Sequence, residues 1–139
     1  MPIVLQCHKG IGPAVTGTAL VARDNFSTRY DLDRVEGTFS RPDHKLFGRS
    51  YVGKVLVLVT AKGGVATAWM LRDMTARGLA PRALLLDRSN TILAQGAAFA
   101  DLTLVDRFEA GNPTDLLRTG DEVQIAPREG LVTILNRDA

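Results

Sequence analysis

The run Val55-Leu56-Val57-Leu58-Val59 constrains the fold more than any other part of the chain. Five consecutive apolar residues rich in β-branching have no polar face to offer water, so they read as a strand covered on both sides. Thr60-Ala61-Lys62-Gly63-Gly64-Val65-Ala66-Thr67 follows, and then a helical pattern through Trp69, Met70, Leu71 and Met74. The glycine pair lets the backbone turn tightly before the helix. Such a turn aims several main-chain N–H groups at one spot with the helix dipole behind them, which suits an anionic group. This segment is therefore the candidate binding or catalytic loop.

The spacing predicts a helix from near Val65 to near Gly78, which sits where a left-handed C-terminal residue belongs, with Pro81 beyond it as a stop. Asp73 and Arg77 are spaced i,i+4 on its wet side, while Ala66, Met70 and Met74, with Trp69 adjacent, are assigned to the core. Ala83-Leu84-Leu85-Leu86 is a second fully apolar run, so strand, helix and strand form a unit expected to be parallel with a right-handed connection. Upstream, Val15 to Val21 reads as the first strand, behind Gly12 and Pro13. Arg23 to Gly53 is polar and rich in turn residues, too long for a structureless connection, and is expected to hold short strands and turns. Downstream, Ala94 to Ala100 reads as a short helix or tight turn and Leu102 to Val105 as a strand. Glu122 to Ile125 and Leu131 to Leu135 read as a hairpin about Pro127-Arg128-Glu129-Gly130.

These elements make a mixed α/β chain in which β dominates both ends, and 139 residues at 45% hydrophobic composition suffice for one core, so a single domain over 1–139 is expected. Seventeen basic against fifteen acidic residues leave a net charge of +2, too even a balance to argue for nucleic acid. Cys7 is the only cysteine, which excludes an internal disulfide and a cysteine-ligated cluster built by this chain alone. Cys7 with His8 supplies too few ligands for a metal, and Cys7 is assigned as an inert small hydrophobe. No basic region precedes a long apolar one at the N-terminus and no run approaches membrane-spanning length, so a cytoplasmic protein is expected. Lys62-Gly63-Gly64 lacks both the spacing of a P-loop and the three-glycine dinucleotide fingerprint.

In order along the chain stand Gly17-Thr18-Ala19-Leu20, then Ser27 with Asp33 and Gly37, then His44-Lys45-Leu46 with Gly48, Ser50, Gly53 and Lys54. Lys62-Gly63, Gly78-Leu79-Ala80-Pro81-Arg82-Ala83, Gly96-Ala97 and Gly120-Asp121 complete the series. Each piece is short, but the order and spacing together resemble the swivel domain of aconitase X, over nearly the whole chain. The resemblance implies a swivelling β/β/α fold, compact mixed-sheet layers with flanking helices. It also implies a role as the small subunit of a hydro-lyase, docked against a separate large aconitase X catalytic subunit that carries an iron or iron–sulfur centre, with no cofactor bound by this chain itself. Family members dehydrate small hydroxy acids, including cis-3-hydroxy-L-proline and a phosphorylated mevalonate. In that reaction a base removes the proton α to a carboxylate while the iron, as Lewis acid, polarises the departing hydroxyl.

The chain departs from the family pattern in two places. The family loop runs Gly, Arg or Lys, Gly, Ser, and that serine is assigned a catalytic role; here Lys62 and Gly63 match, but Gly64 stands at the serine position. Near Ser27 the family's aromatic and glycine residues give way to Thr28-Arg29-Tyr30-Asp31. The candidate catalytic residues are Thr67, which either presents a hydroxyl from the first helical turn or serves as cap or core, and His44, either an acid or base or a packing residue. The substrate-binding candidates are Ser27, Arg29, Lys62, Gly63, Gly64 and Val65. Lys62 either meets a substrate carboxylate or phosphate or is a solvated loop lysine, and Arg29 either takes a second carboxylate or pairs with Asp31 and Asp33. Two functions remain: a dehydratase small subunit, and a noncatalytic or regulatory binding module that keeps the fold without the serine. No membrane partner is expected.

Overall fold

The computed structural model describes residues 3–27, 31–62, 65–89 and 91–137. In chain order the elements are β1 (Ile3–Gln6), β2 (Val15–Val21), β3 (Asn25–Ser27), β4 (Leu32–Asp33), β5 (Thr38–Phe39), β6 (Val55–Leu58), β7 (Thr60–Lys62) and α1 (Val65–Ala76). There follow β8 (Ala83–Leu86), α2 (Thr91–Phe99), β9 (Thr103–Asp106), α3 (Pro113–Leu116), β10 (Glu122–Ala126) and β11 (Leu131–Asn136). The polar segment after Arg23 thus carries short strands and turns, and a strand at Ile3–Gln6 precedes the one predicted to be first. Ile3–Gln6 escapes a periodicity reading because it is an edge strand whose residues are mostly exposed.

One sheet holds seven strands in the order β1-β11-β10-β2-β6-β8-β9. Strands β2, β6, β8 and β9 are parallel, whereas β10 pairs antiparallel with β2 and β11, and β1 antiparallel with β11. All four residues of β6 and all four of β8 are fully buried, as runs without polar residues require. The two-residue pleat divides them between two cores. Leu56, Leu58, Leu84 and Leu86 join Leu71 and Met74 of α1 and Ala97 of α2 on one face. Val55, Val57, Ala83 and Leu85 join Val123, Ile125, Val132 and Ile134 of the hairpin on the other. The parallel strands therefore lie between a helical layer and an antiparallel β layer, the β/β/α stacking that the resemblance implied.

The second core needs the sheet to curl over, and the chain after β1 closes the curl. Ile11 exchanges main-chain hydrogen bonds with Leu104 at 2.9 Å each, and Cys7 bridges to Phe108. A Cβ on Gly10 would run into the Leu104 carbonyl, so the approach there requires glycine. Gly78, at φ +71°, ends α1: its N–H donates to Thr75 O at 3.1 Å and that of Leu79 to Met74 O at 2.8 Å, the paired bonds of a Schellman turn. The predicted Asp73–Arg77 pair is present at 3.2 Å on the exposed side.

One assignment changes. Trp69 is not core: it is 63% exposed and packs edge-on against Phe99, 5.0 Å between ring centroids, with the Arg72 guanidinium 4.5 Å above the Phe99 ring. Met74 is buried as predicted and Leu71, three residues before it, shares the stripe; Met70 is half-buried, and the Ala66 side chain lies outside the description.

Candidate functional site

The glycine loop does not follow directly from the central strand. β6 ends at Leu58, and after a jog at Val59 the chain forms β7, which ends at Lys62. The jog has a partner: β2 and β6 run side by side, with Ala19 opposite Val55 and Val21 opposite Val57. Both chains then leave the large sheet together. Ala22 N–H donates to Val57 O and Val59 N–H to Asp24 O, each at 3.0 Å. Beyond these crossings the same two segments pair again as the parallel ribbon β3–β7, with Asn25 opposite Thr60 and Ser27 opposite Lys62.

Two stretches singled out for different reasons in the sequence are thereby set in register. Ser27 ends one strand of the ribbon and Lys62 ends the other. Only residues 63 and 64 separate Lys62 from Val65, the first residue of α1, and Thr67 is the third residue of that helix. The first turn of any α-helix carries main-chain N–H groups without intrahelical partners. α2 likewise starts after the carboxyl end of β8, so the ribbon and both helix starts gather at the edge where open parallel sheets place their ligands. Arg29, Gly63 and Gly64 lie outside the described residues.

Ser27 is buried, and its main chain is closed on Asp31: Ser27 N–H donates to Asp31 Oδ2 at 3.0 Å and Asp31 N–H to Ser27 O at 2.9 Å. Asp31 is itself buried and takes Arg41 Nε–H on its other oxygen at 2.6 Å. Asp33 accepts from Val35 and Glu36 N–H, at 2.9 and 3.0 Å, and these two bonds, Glu36's first, hold its carboxyl below the usual range.

His44 sits beneath the ribbon, buried and stacked on Phe39 with 4.6 Å between ring centroids. Its Nδ1 accepts Leu46 N–H at 3.0 Å, which leaves Nε2 to donate to Asn25 O at 2.7 Å. Both ring nitrogens are engaged by the main chain, and through Asn25 His44 helps to hold β3 in place. Asp24 bonds Asn25 N–H at 2.7 Å, Lys45 N–H at 3.1 Å and Arg41 Nη2 at 3.3 Å. Burial pushes its carboxyl up, but those main-chain N–H groups, with His44 and Arg41, pull it below the ordinary value. Asp24 and Arg41 went unnoticed in the sequence because they lie among turn residues without periodicity. Mixed charge around Asp31 was the only local signal.

Burial, reinforced by the charge of Asp106, pushes the Cys7 thiol up to about 11, and among the described residues no group of three or more His, Cys, Asp or Glu side chains is placed to hold a metal. Asp87 and Asp106, at the ends of β8 and β9, are taken up by Thr114 and by Ser89. Among the described residues no helix is long and apolar enough to cross a membrane.

The family model of the aconitase X swivel domain matches residues 4–134. The phosphomevalonate dehydratase small subunit of Methanothrix thermoacetophila is 36% identical, over 74% of this chain and 75% of that one. The protein of the same name from Methanocella arvoryzae is 30% identical over 94% of this chain and 98% of its own length. Among solved structures, that of Thermococcus kodakaraensis aconitase X superimposes with a TM-score of 0.87 at 28% identity, covering 96% of this chain and 99% of the matched chain. With the layered fold and the paired site segments, these matches settle the class: the chain belongs to the aconitase X swivel domain family.

Proposed function

We propose that this chain is the small subunit of an aconitase X type dehydratase, acting in the cytoplasm with a separate large subunit to remove water from a small anionic hydroxy acid. The names of its relatives favour a phosphorylated substrate, phosphomevalonate first. The observation that carries the reading is the register of β3 with β7, which sets Ser27 beside Lys62 immediately before the start of α1. A substrate bearing both a carboxylate and a phosphate needs more than one cationic or N–H-rich anchor, and this corner offers two kinds, a lysine and a helix start.

In this scheme Lys62 takes one anionic group, and the main-chain N–H groups at the start of α1 take the same group or its neighbour. Ser27 lines the substrate, with Arg29 as a second cationic anchor. Gly63, Gly64 and Val65 allow close approach of the backbone. Gly64 removes the hydroxyl that the family's serine would offer, and Thr67, in the first turn of α1, is the replacement. The iron or iron–sulfur centre belongs to the large subunit, where it supplies the Lewis acid for hydroxyl departure. This chain binds and orients the acid and helps to exclude water from the seam.

The test is co-production with a large aconitase X catalytic subunit, followed by assay of phosphomevalonate, mevalonate and cis-3-hydroxy-L-proline. The reading expects a stable two-chain complex that dehydrates the phosphorylated acid and handles the unphosphorylated one poorly. A complex without turnover on any hydroxy acid would favour the noncatalytic module, and no complex at all would remove both.

A further inference from the structure

Ribbon β3–β7 has only two strands, yet β3 is bonded on both sides. The N–H and C=O of Asn25 and of Ser27 all find partners outside β7: Asp24 Oδ1, His44 Nε2, Asp31 Oδ2 and Asp31 N–H. Residues i and i+2 of a strand direct these groups to the same side. Polar side chains and one turn amide therefore occupy the place of a third strand.

A single cation ties these partners together. Arg41 reaches Asp31 Oδ1 through Nε at 2.6 Å and Asp24 Oδ1 through Nη2 at 3.3 Å. Asp24 is fastened in turn to Lys45 N–H and His44 to Leu46 N–H, so the 41–46 segment grips β3 at several points. Without Arg41, Asp31 would be a buried carboxylate with the Ser27 N–H as its remaining hydrogen-bond donor among the described contacts, a costly arrangement. Arg41 thereby fixes how β3 leaves the large sheet, and β3 fixes where Ser27 stands relative to Lys62.

We infer that Arg41 is a positioning residue for substrate binding, which acts through Asp24 and Asp31 to keep the end of β3 in register with β7; this rests on the proposed site at Ser27 and Lys62. It touches no substrate itself. Its fork is suited to the task, because one guanidinium can bond two carboxylates from different nitrogens where an ammonium is a single point charge.

Arg41→Gln tests the inference by two readouts, with Asp24→Asn as a milder second variant should the first not fold. In the isolated chain, amide hydrogen exchange at Ser27 and Asp31 is expected to speed up roughly tenfold while Leu56 and Leu84 in the buried strands stay as in wild type. In the two-chain enzyme, KM for the anionic substrate is expected to rise about tenfold with kcat within about twofold, and Arg41→Lys to recover only part of the loss. Unchanged exchange at Ser27 and Asp31 would overturn the clamp. Faster exchange with unaltered KM would overturn its role in binding. If the wild-type pair turns over no hydroxy acid, the site reading fails instead, and the exchange measurement still decides whether Arg41 orders β3.

Discussion

Arg137→Met should destabilise the chain by about 3 kcal/mol near neutral pH, and most of that loss should vanish in acid. Arg137 donates from Nε to Asp121 Oδ1 at 3.0 Å and from Nη2 to Asp121 Oδ2 at 2.8 Å, and Nη2 also reaches Leu116 O at 2.8 Å. Asp121 is 1% exposed and, among the described contacts, would keep the Arg118 N–H, at 2.8 Å, as its one hydrogen-bond donor. A charge-assisted bond contributes about 1.5–3 kcal/mol and orphaning a buried charge costs about 3–5 kcal/mol. The Arg137 side chain remains 22% exposed, so water recovers part of the loss and the low end applies. At a urea dependence of about 2 kcal/mol per molar, the unfolding midpoint should fall by about 1.5 M.

The pH dependence gives the sharper check. Burial raises the Asp121 carboxyl, but Arg137 and the Arg118 N–H outweigh it and hold the group below its ordinary value of 3.8. A depressed folded-state value means the contribution is complete above the unfolded value and is lost as pH falls through the folded one. The gap between wild type and variant in urea titrations should therefore narrow as pH falls from about 7 to about 3. A midpoint within about 0.2 M of wild type at pH 7, or a gap that stays constant into acid, would refute the assignment of this pair as a buried anchor of the hairpin.

Lys62→Ala in the two-chain enzyme should raise KM for the anionic substrate roughly ten- to hundredfold, the loss of one charge-assisted contact, and unchanged kinetics would remove Lys62 from the site. Cys7 should react with a disulfide reagent at about pH 8 roughly a hundredfold more slowly in the native chain than after unfolding, because a thiol at about 11 holds little thiolate there; equal rates would contradict its environment. Gly78→Ala should cost about 1 kcal/mol, as φ +71° is strained for a residue with a Cβ, read as a fall in melting temperature of a few degrees. A neutral result would mean that the Schellman turn tolerates alanine without strain.

The sequence by itself determined the parts whose cause is local. Val55–Leu58 and Ala83–Leu86 have no polar face, so each had to be buried on both sides. Gly78 marks the end of α1 because only glycine adopts that conformation freely, and the alternation around Pro127–Gly130 sets the β10–β11 hairpin. The order of short motifs carried the family. Tertiary structure alone decided the insertion of β7 before the glycine loop, since Thr60–Lys62 is a strand only by virtue of β3 beside it. It likewise decided the exposure of Trp69, through the packing of α1 beside α2, and the partners of His44, whose ring nitrogens meet Asn25 O and the Leu46 N–H. The clamp of Asp24, Asp31 and Arg41 had no periodic trace, because its members meet through charge and directed hydrogen bonds between turns, and such contacts depend on where the chain returns in space.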